Sequence, residues 1–287
     1  LQLFRLQGEL LMARRSGYTL IELIMVIVLL SIVATVSVRF VGLSTQGALD
    51  TSARQLRALQ SVVISEQITR ELRGAFPLSV RVSTDGSCIE WLPVEAGTNY
   101  LNLSTSKEIG EIDIAAFADD PDEDPENDTL AVVIYGYGVS KGQLYTGIDP
   151  GSNTGPVALL ANDPIDNMAA PATISLSPNH QFSNQSPARR LYVLGGPVSL
   201  CQGEPPNRQF LYRYSGYSPS ATPPTPQSPP AVDPKVLAAS LTGPVSFDFS
   251  PGTLERAAVV QFTFELEDAD SGETTTVSQE VQIRNVP

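Results

Sequence analysis

Glu22 is the one charged side chain in an otherwise apolar run of 21 residues, YTLIELIMVIVLLSIVATVSV, from Tyr18 to Val38. A carboxylate inside a bilayer costs a few kcal/mol unless a cation meets it, so an acid in such a run marks a functional site. Tyr18 stands four residues earlier, on the same face of a helix, and Gly17 precedes it. The competing role for Glu22, only the fifth residue of the run, is a side chain that snorkels to the membrane edge.

Other residues invite chemistry with less support. Cys88 and Cys201 both follow the apolar run. In an exported head they meet an oxidising compartment and pair; the alternative is two separate buried thiols. A bridge closing so long a loop stabilises by roughly 4–5 kcal/mol in the chain-entropy account. The stretch DDPDEDPEND, residues 119–128, has seven carboxylates in ten positions, and Asp119, Asp120, Asp122 and Asp124 offer oxygens for calcium. It has no glycine to turn the chain round an ion and its prolines keep it extended, so a solvated acidic loop is expected.

Gly138-Val139-Ser140-Lys141-Gly142 fits the G-x-S-x-G nucleophile elbow. The elbow must open a helix, however, and QLYTGIDPGSN reads as non-helical. The sole histidine, His180, lies in a polar NHQ context. Ser104-Thr105-Ser106-Lys107 matches S-x-x-K without companion motifs. One histidine and two distant cysteines are too few for a zinc site, and no phosphate-binding loop or dinucleotide fingerprint occurs. These residues point to a chain without catalysis and without a cofactor.

Several elements must position Glu22. As a helix, residues 18–38 span about 30 Å, the hydrocarbon thickness of a bilayer. Arg14 and Arg15 lie just before the run and keep the N-terminus cytoplasmic, while Arg39 at the far end snorkels. A secretory signal peptide would show a small-residue cleavage box after the run. Ser31, Ala34 and Ser37 form no clear one. The organisation expected is a leader over 1–17, a transmembrane helix over 18–41, an amphipathic helix over 42–76 and a β-rich head over 77–287. The chain opens on Leu rather than Met, so its start is expected to be non-standard or misplaced.

In residues 44–74, Leu49, Ala53, Leu56, Val63, Ile64, Ile68 and Leu72 recur at helical spacing. They predict one apolar stripe laid against the head's sheet. Gly74 and Pro77 mark the end of this helix. No proline interrupts it from Tyr18 to Phe76; Gly42 and Gly47 are its expected weak points, at about 1 kcal/mol each. Beyond it, strands are predicted over 79–83, 88–94, 129–139, 190–200, 208–217, 244–249, 258–268 and 274–287. Trp91 is placed on the face away from Ile89. The fold class is α+β, with a mainly antiparallel sheet wrapped on the helix. Residues 218–234, SPSATPPTPQSPPAVDP, hold seven prolines in seventeen and form either a loop or a linker within the head.

Charge narrows the partners. Arg5, Arg14 and Arg15 against Glu9 put the first 17 residues at +2, so the residues beyond them sum to −15 and the whole chain to −13. A head that acidic is a poor generic partner for nucleic acid or anionic lipid.

The stretch RRSGYTLIELIMVIVLLSIVA resembles the processing motif of type IV pilins and type II secretion pseudopilins. The resemblance implies that a prepilin peptidase cuts between Gly17 and Tyr18 and that Tyr18 becomes a methylated N-terminal residue. The family usually has Phe there. It further implies that Glu22 of one subunit meets the amine of its neighbour and sets the register of a filament. Other pilins, through the N-terminal helix, and the inner membrane are then the partners, with the head periplasmic.

SEQITRELRGAFPLSVRVS, CIEWLPV and VSQEVQIRNVP are similar to the large minor pilins of the mannose-sensitive haemagglutinin pilus system. Those in turn resemble the J-type minor pseudopilins of type II secretion. The likeness implies a part in initiating a pilus or forming its tip. A tip adhesin, with the Pro-rich loop beside Tyr212, Tyr214 and Tyr217, is the third possibility.

Overall fold

A computed structural model describes residues 17–117, 131–137, 140–146, 153–253, 255–268 and 271–284, the side chains of 162–164 excepted. The acidic stretch 119–128, with its four candidate calcium ligands, lies outside the described residues. The chain divides after Arg54 into two units.

The first unit is the start of one helix, α1 (Leu20–Arg73), and every residue from Gly17 to Ser52 is exposed. Leu, Ile, Val and Met dominate the first 24 positions and no proline occurs, so nothing breaks the ladder of backbone hydrogen bonds. The helix runs through Gly42 and Gly47 without a break. The helix is long and apolar enough to cross a membrane.

In the second unit the rest of α1 leads into a head of short strands. These are β1 (Arg81–Val82), β2 (Cys88–Trp91), β3 (Val94–Asn99), β4 (Ile109–Ile114) and β5 (Ala131–Val133). A short helix, α2 (Lys141–Thr146), and strands β6 (Thr154–Gly155), β7 (Val157–Asp166), β8 (Ala172–Phe182) and β9 (Arg190–Leu194) follow. The chain finishes with β10 (Val198–Gln202), β11 (Leu211–Tyr214), β12 (Lys235–Ala238), β13 (Leu241–Ser250), β14 (Ala258–Glu267) and β15 (Thr274–Ile283).

Among the described residues the strands form three sheets rather than the one expected. Five strands run in the order β1-β2-β10-β11-β12, three in the order β13-β14-β15, and seven make a sheet ordered β3-β9-β5-β7-β8-β4 with β6 beside β8. All pairs are antiparallel except β6–β8. The run 190–200, expected as one strand, is two strands in different sheets. Gly195-Gly196-Pro197 divides it, because proline cannot donate to a ladder. Ile89 and Trp91, two residues apart, share a face as a period of two requires, and both enter the same core.

That core holds the functional helix in place. Ile64, Ile68 and Leu72 of α1 pack with Trp91, Phe262 and Phe264 among residues of the five- and three-stranded sheets. The seven-stranded sheet has cores of its own. Polar ties run beside the apolar contact. Arg57 is buried and pairs with Asp268 at 2.8 Å and Glu273 at 2.5 Å. Glu71 accepts from Arg213 at 2.9 Å, and Thr69 accepts from Gln279 at 3.1 Å.

The single stripe expected on α1 is therefore two seams. Arg57, Ser61, Ile64, Ser65, Ile68, Thr69 and Leu72 face the head. Leu56, Leu59, Val62 and Val63 are 55–65% exposed on another side. Spacing alone merges them because both have helical period; burial separates them.

A disulfide joins Cys88 and Cys201, whose Cα atoms are 4.2 Å apart as direct cross-strand partners on β2 and β10. It lies under Tyr214, with Tyr212 and Tyr217 packed against the cluster.

Two outcomes follow for chemical denaturation in detergent micelles. Leu72→Ala is expected to cost about 2–5 kcal/mol, as a fully buried leucine, while Val63→Ala stays within about 0.5 kcal/mol. Equal effects would contradict the two-seam arrangement. A Cys88→Ser, Cys201→Ser double variant is expected to lose about 4–5 kcal/mol, since the bridge closes a separation of 113 residues.

Candidate functional site

Gly17, Tyr18 and Thr19 precede α1 as irregular chain. Thr19 caps the helix. Its Oγ1 accepts the Glu22 N–H at 3.3 Å, and its carbonyl accepts the Leu23 N–H at 3.2 Å. Thr19 and Glu22 thus have capping-box spacing, with Glu22 at the third helical position. A carboxylate there also meets the positive end of the helix dipole. The T-x-x-E spacing marks this helix start in the sequence, a signal the membrane argument did not use.

The Gly17–Tyr18 bond lies outside the helix. Tyr18 is 83% exposed, and beyond its chain neighbours nothing among the described residues stands within 4 Å of where a Gly17 Cβ would be. Downstream, large apolar side chains cover the whole circumference of α1 to Leu43. A helix apolar all round needs lipid or other apolar helices to cover it. Glu22 is the one carboxylate in that stretch.

A second polar cluster lies in the head. Arg81 on β1 and Glu90 on β2 are direct cross-strand partners, both buried, and the Arg81 Nε donates to Glu90 Oε2. The terminal nitrogens of Arg81 donate to the carbonyls of Ser220, Ala221 and Thr222 at 2.7–3.3 Å. Those carbonyls belong to the Pro-rich stretch, so 218–234 is a loop strapped to the five-stranded sheet and not a linker. Tyr217 donates to Glu90 Oε1 at 2.8 Å. The Arg81 guanidinium also lies 3.5 Å from the centre of the buried Tyr145 ring. Burial pushes the Glu90 carboxyl above its usual range, against Arg81 and Tyr217, which pull it down. The loop and Tyr217 enclose a pocket of about 490 Å³ with Glu90 in its lining.

Sequence-level candidates for catalysis take structural places. Ser140 caps α2: its N–H donates to Gln143 Oε1 at 3.0 Å, and its Oγ accepts the Gln143 N–H at 3.4 Å. The segment expected to be non-helical therefore does open a helix, a single short one. The polar ends of Gln143 and Ser140 nucleate it where hydrophobic periodicity shows nothing. His180 is buried, with Nε2 3.1 Å from the Gly155 carbonyl and its ring against Phe182. Among the described residues, no three His, Cys, Asp or Glu side chains are grouped to hold a metal ion.

Arg81→Leu is expected to cost about 3–5 kcal/mol, because it strands a buried carboxylate. Limited proteolysis should then cut 218–234 sooner than in the wild type. Lys141, on α2, sits 3.9 Å over the Phe249 ring, and burial together with the Arg81 charge lowers its ammonium to about 8. The unfolded chain holds that proton up to its ordinary value of 10.5, so this group's contribution to stability rises from about pH 8 to about pH 10.5. Lys141→Met should be the more stable form at neutral pH, with the gap narrowing across that window in urea titrations.

Residues 12–38 match the family model described as the prokaryotic N-terminal methylation motif. The match spans Gly17, Tyr18 and Glu22. Comparisons with curated proteins and with solved structures found no significant match. The motif indicates a type IV pilin-like prepilin, of the pilin or pseudopilin kind, processed by prepilin peptidase.

Proposed function

We propose that this chain is a minor type IV pilin, of the kind found in mannose-sensitive haemagglutinin pili, that acts in initiation or at the tip of a filament. Prepilin peptidase cuts between Gly17 and Tyr18, and Tyr18 is methylated. Residues 18–41 hold the protein in the inner membrane, with the N-terminus cytoplasmic and the head periplasmic. The role is assembly, without catalysis, cofactor or nucleic acid.

The observation that carries this reading is the Gly17–Tyr18 junction just outside a helix whose first turn holds a lone carboxylate on an all-apolar surface. In a bundle of such helices, Glu22 meets a neighbour's Tyr18 amine where water is excluded. The exposed seam of Leu56, Leu59, Val62 and Val63 offers a neighbouring helix further apolar contact. A head with three sheets is bulky for a densely packed shaft, which favours a rare or terminal position.

The J-type pseudopilin of type II secretion is the nearest alternative. Deleting the gene should remove surface filaments and leave exoprotein secretion intact; the opposite result supports the pseudopilin. One observation favours the adhesin reading: Tyr217 and the Pro-rich loop share the pocket over Glu90.

Glu22→Ala tests the assembly role. The variant should be processed at the wild-type rate yet vanish from the sheared filament fraction in immunoblots. A variant that still enters filaments at wild-type levels would contradict the register role.

A further inference from the structure

Arg73, Arg190 and Arg284 come from three distant stretches, the last turn of α1, the start of β9 and the residue after β15. They line one groove of about 400 Å³ in the head. All three are exposed, and among the described residues none is in an ion pair. Among the described residues no carboxylate lines the groove; Glu95, on β3, is outside its lining.

Three unpaired guanidiniums in one place run against the average of a chain at −13. Arg73 has a local reason, since a cation suits the C-terminal end of a helix. That reason covers neither Arg190 nor Arg284. The cross-strand pairs Gly97–Tyr192 and Asn99–Arg190 set the floor. Gly97 keeps it open, because a Cβ there would stand 3.1 Å from the Tyr192 ring. The groove runs beside β3, the end strand of the seven-stranded sheet, so its wall is extended backbone.

We propose that this groove docks an acidic, extended segment of a neighbouring protein subunit, whose carboxylates pair with Arg73, Arg190 and Arg284. Guanidinium forks match carboxylate and phosphate alike. The acidic surround repels a long polyanion such as nucleic acid, whereas a short peptide presents its charge only within the groove. Subunits as acidic as this one supply such segments. The inference stands on the head alone, so it can fail while the processing and register roles hold, and the reverse.

The test uses the full processed protein in non-ionic detergent and a fluorescein-labelled hexaglutamate peptide, read by fluorescence anisotropy. The peptide should bind at low salt and be released at high salt. The Arg73→Ala, Arg190→Ala, Arg284→Ala variant should bind about tenfold or more weakly, the sum of three exposed pairs. Arg256→Ala, at an exposed arginine outside the groove, should bind as wild type.

If the triple variant melts early, Arg190→Gln and Arg284→Gln carry the test singly, each weakening binding about threefold. No binding at low salt, or unchanged binding in these variants, would overturn the proposal. So would inorganic phosphate or a single-stranded oligonucleotide competing as well as unlabelled peptide.

Discussion

An ionised carboxylate among apolar side chains and lipid costs a few kcal/mol unless a cation meets it, and Glu22 is the one carboxylate on the all-apolar first stretch of α1. The partial charges at the N-terminal end of the helix offset part of the cost. They leave room for a full charge. In the function proposed above, the Tyr18 amine of a neighbouring chain supplies it. One helix then carries two incompatible demands: apolar on every side near Glu22, one-sided near the head. The sequence resolves them along the length of α1, with continuous Leu, Ile and Val first and a mixed pattern later.

The head meets the second demand with a partly polar seam. Ile64, Ile68 and Leu72 supply the apolar contact, while Arg57, Ser61, Ser65 and Thr69 share the same side. Arg57 is held by two carboxylates at the β14–β15 turn, which orients the helix as apolar packing alone does not. The same logic recurs at Arg81, where one buried guanidinium ties a strand, an aromatic ring and the Pro-rich loop together. Removing one partner of such a buried pair leaves an uncompensated charge.

The methylation motif and the long apolar helix were legible because their determinants are local: glycine, an aromatic, an acid and an apolar run within a short span. The head was read less fully, and for particular reasons. β7 and β8 contain Pro164 and Pro178, which hide a strand pattern, and β4 is short and interrupted by Gly110. The run RLYVLGGPVSL is apolar throughout, so its division between two sheets rests on Gly195-Gly196-Pro197 rather than on hydropathy. Likewise, Val63 and Ile64 are chemically alike and adjacent, yet one is exposed and the other buried. Only the position of the sheets decides that. The groove with Arg73, Arg190 and Arg284 was invisible for the same reason, since no two of the three are near in sequence.

The most direct measurement is the intact mass and N-terminal sequence of the chain extracted from membranes. Processing at the motif predicts a first residue of N-methylated Tyr18 on an otherwise unmodified chain. A chain that retains residues before Gly17, or one cut beyond Val38 after the apolar run, would contradict it.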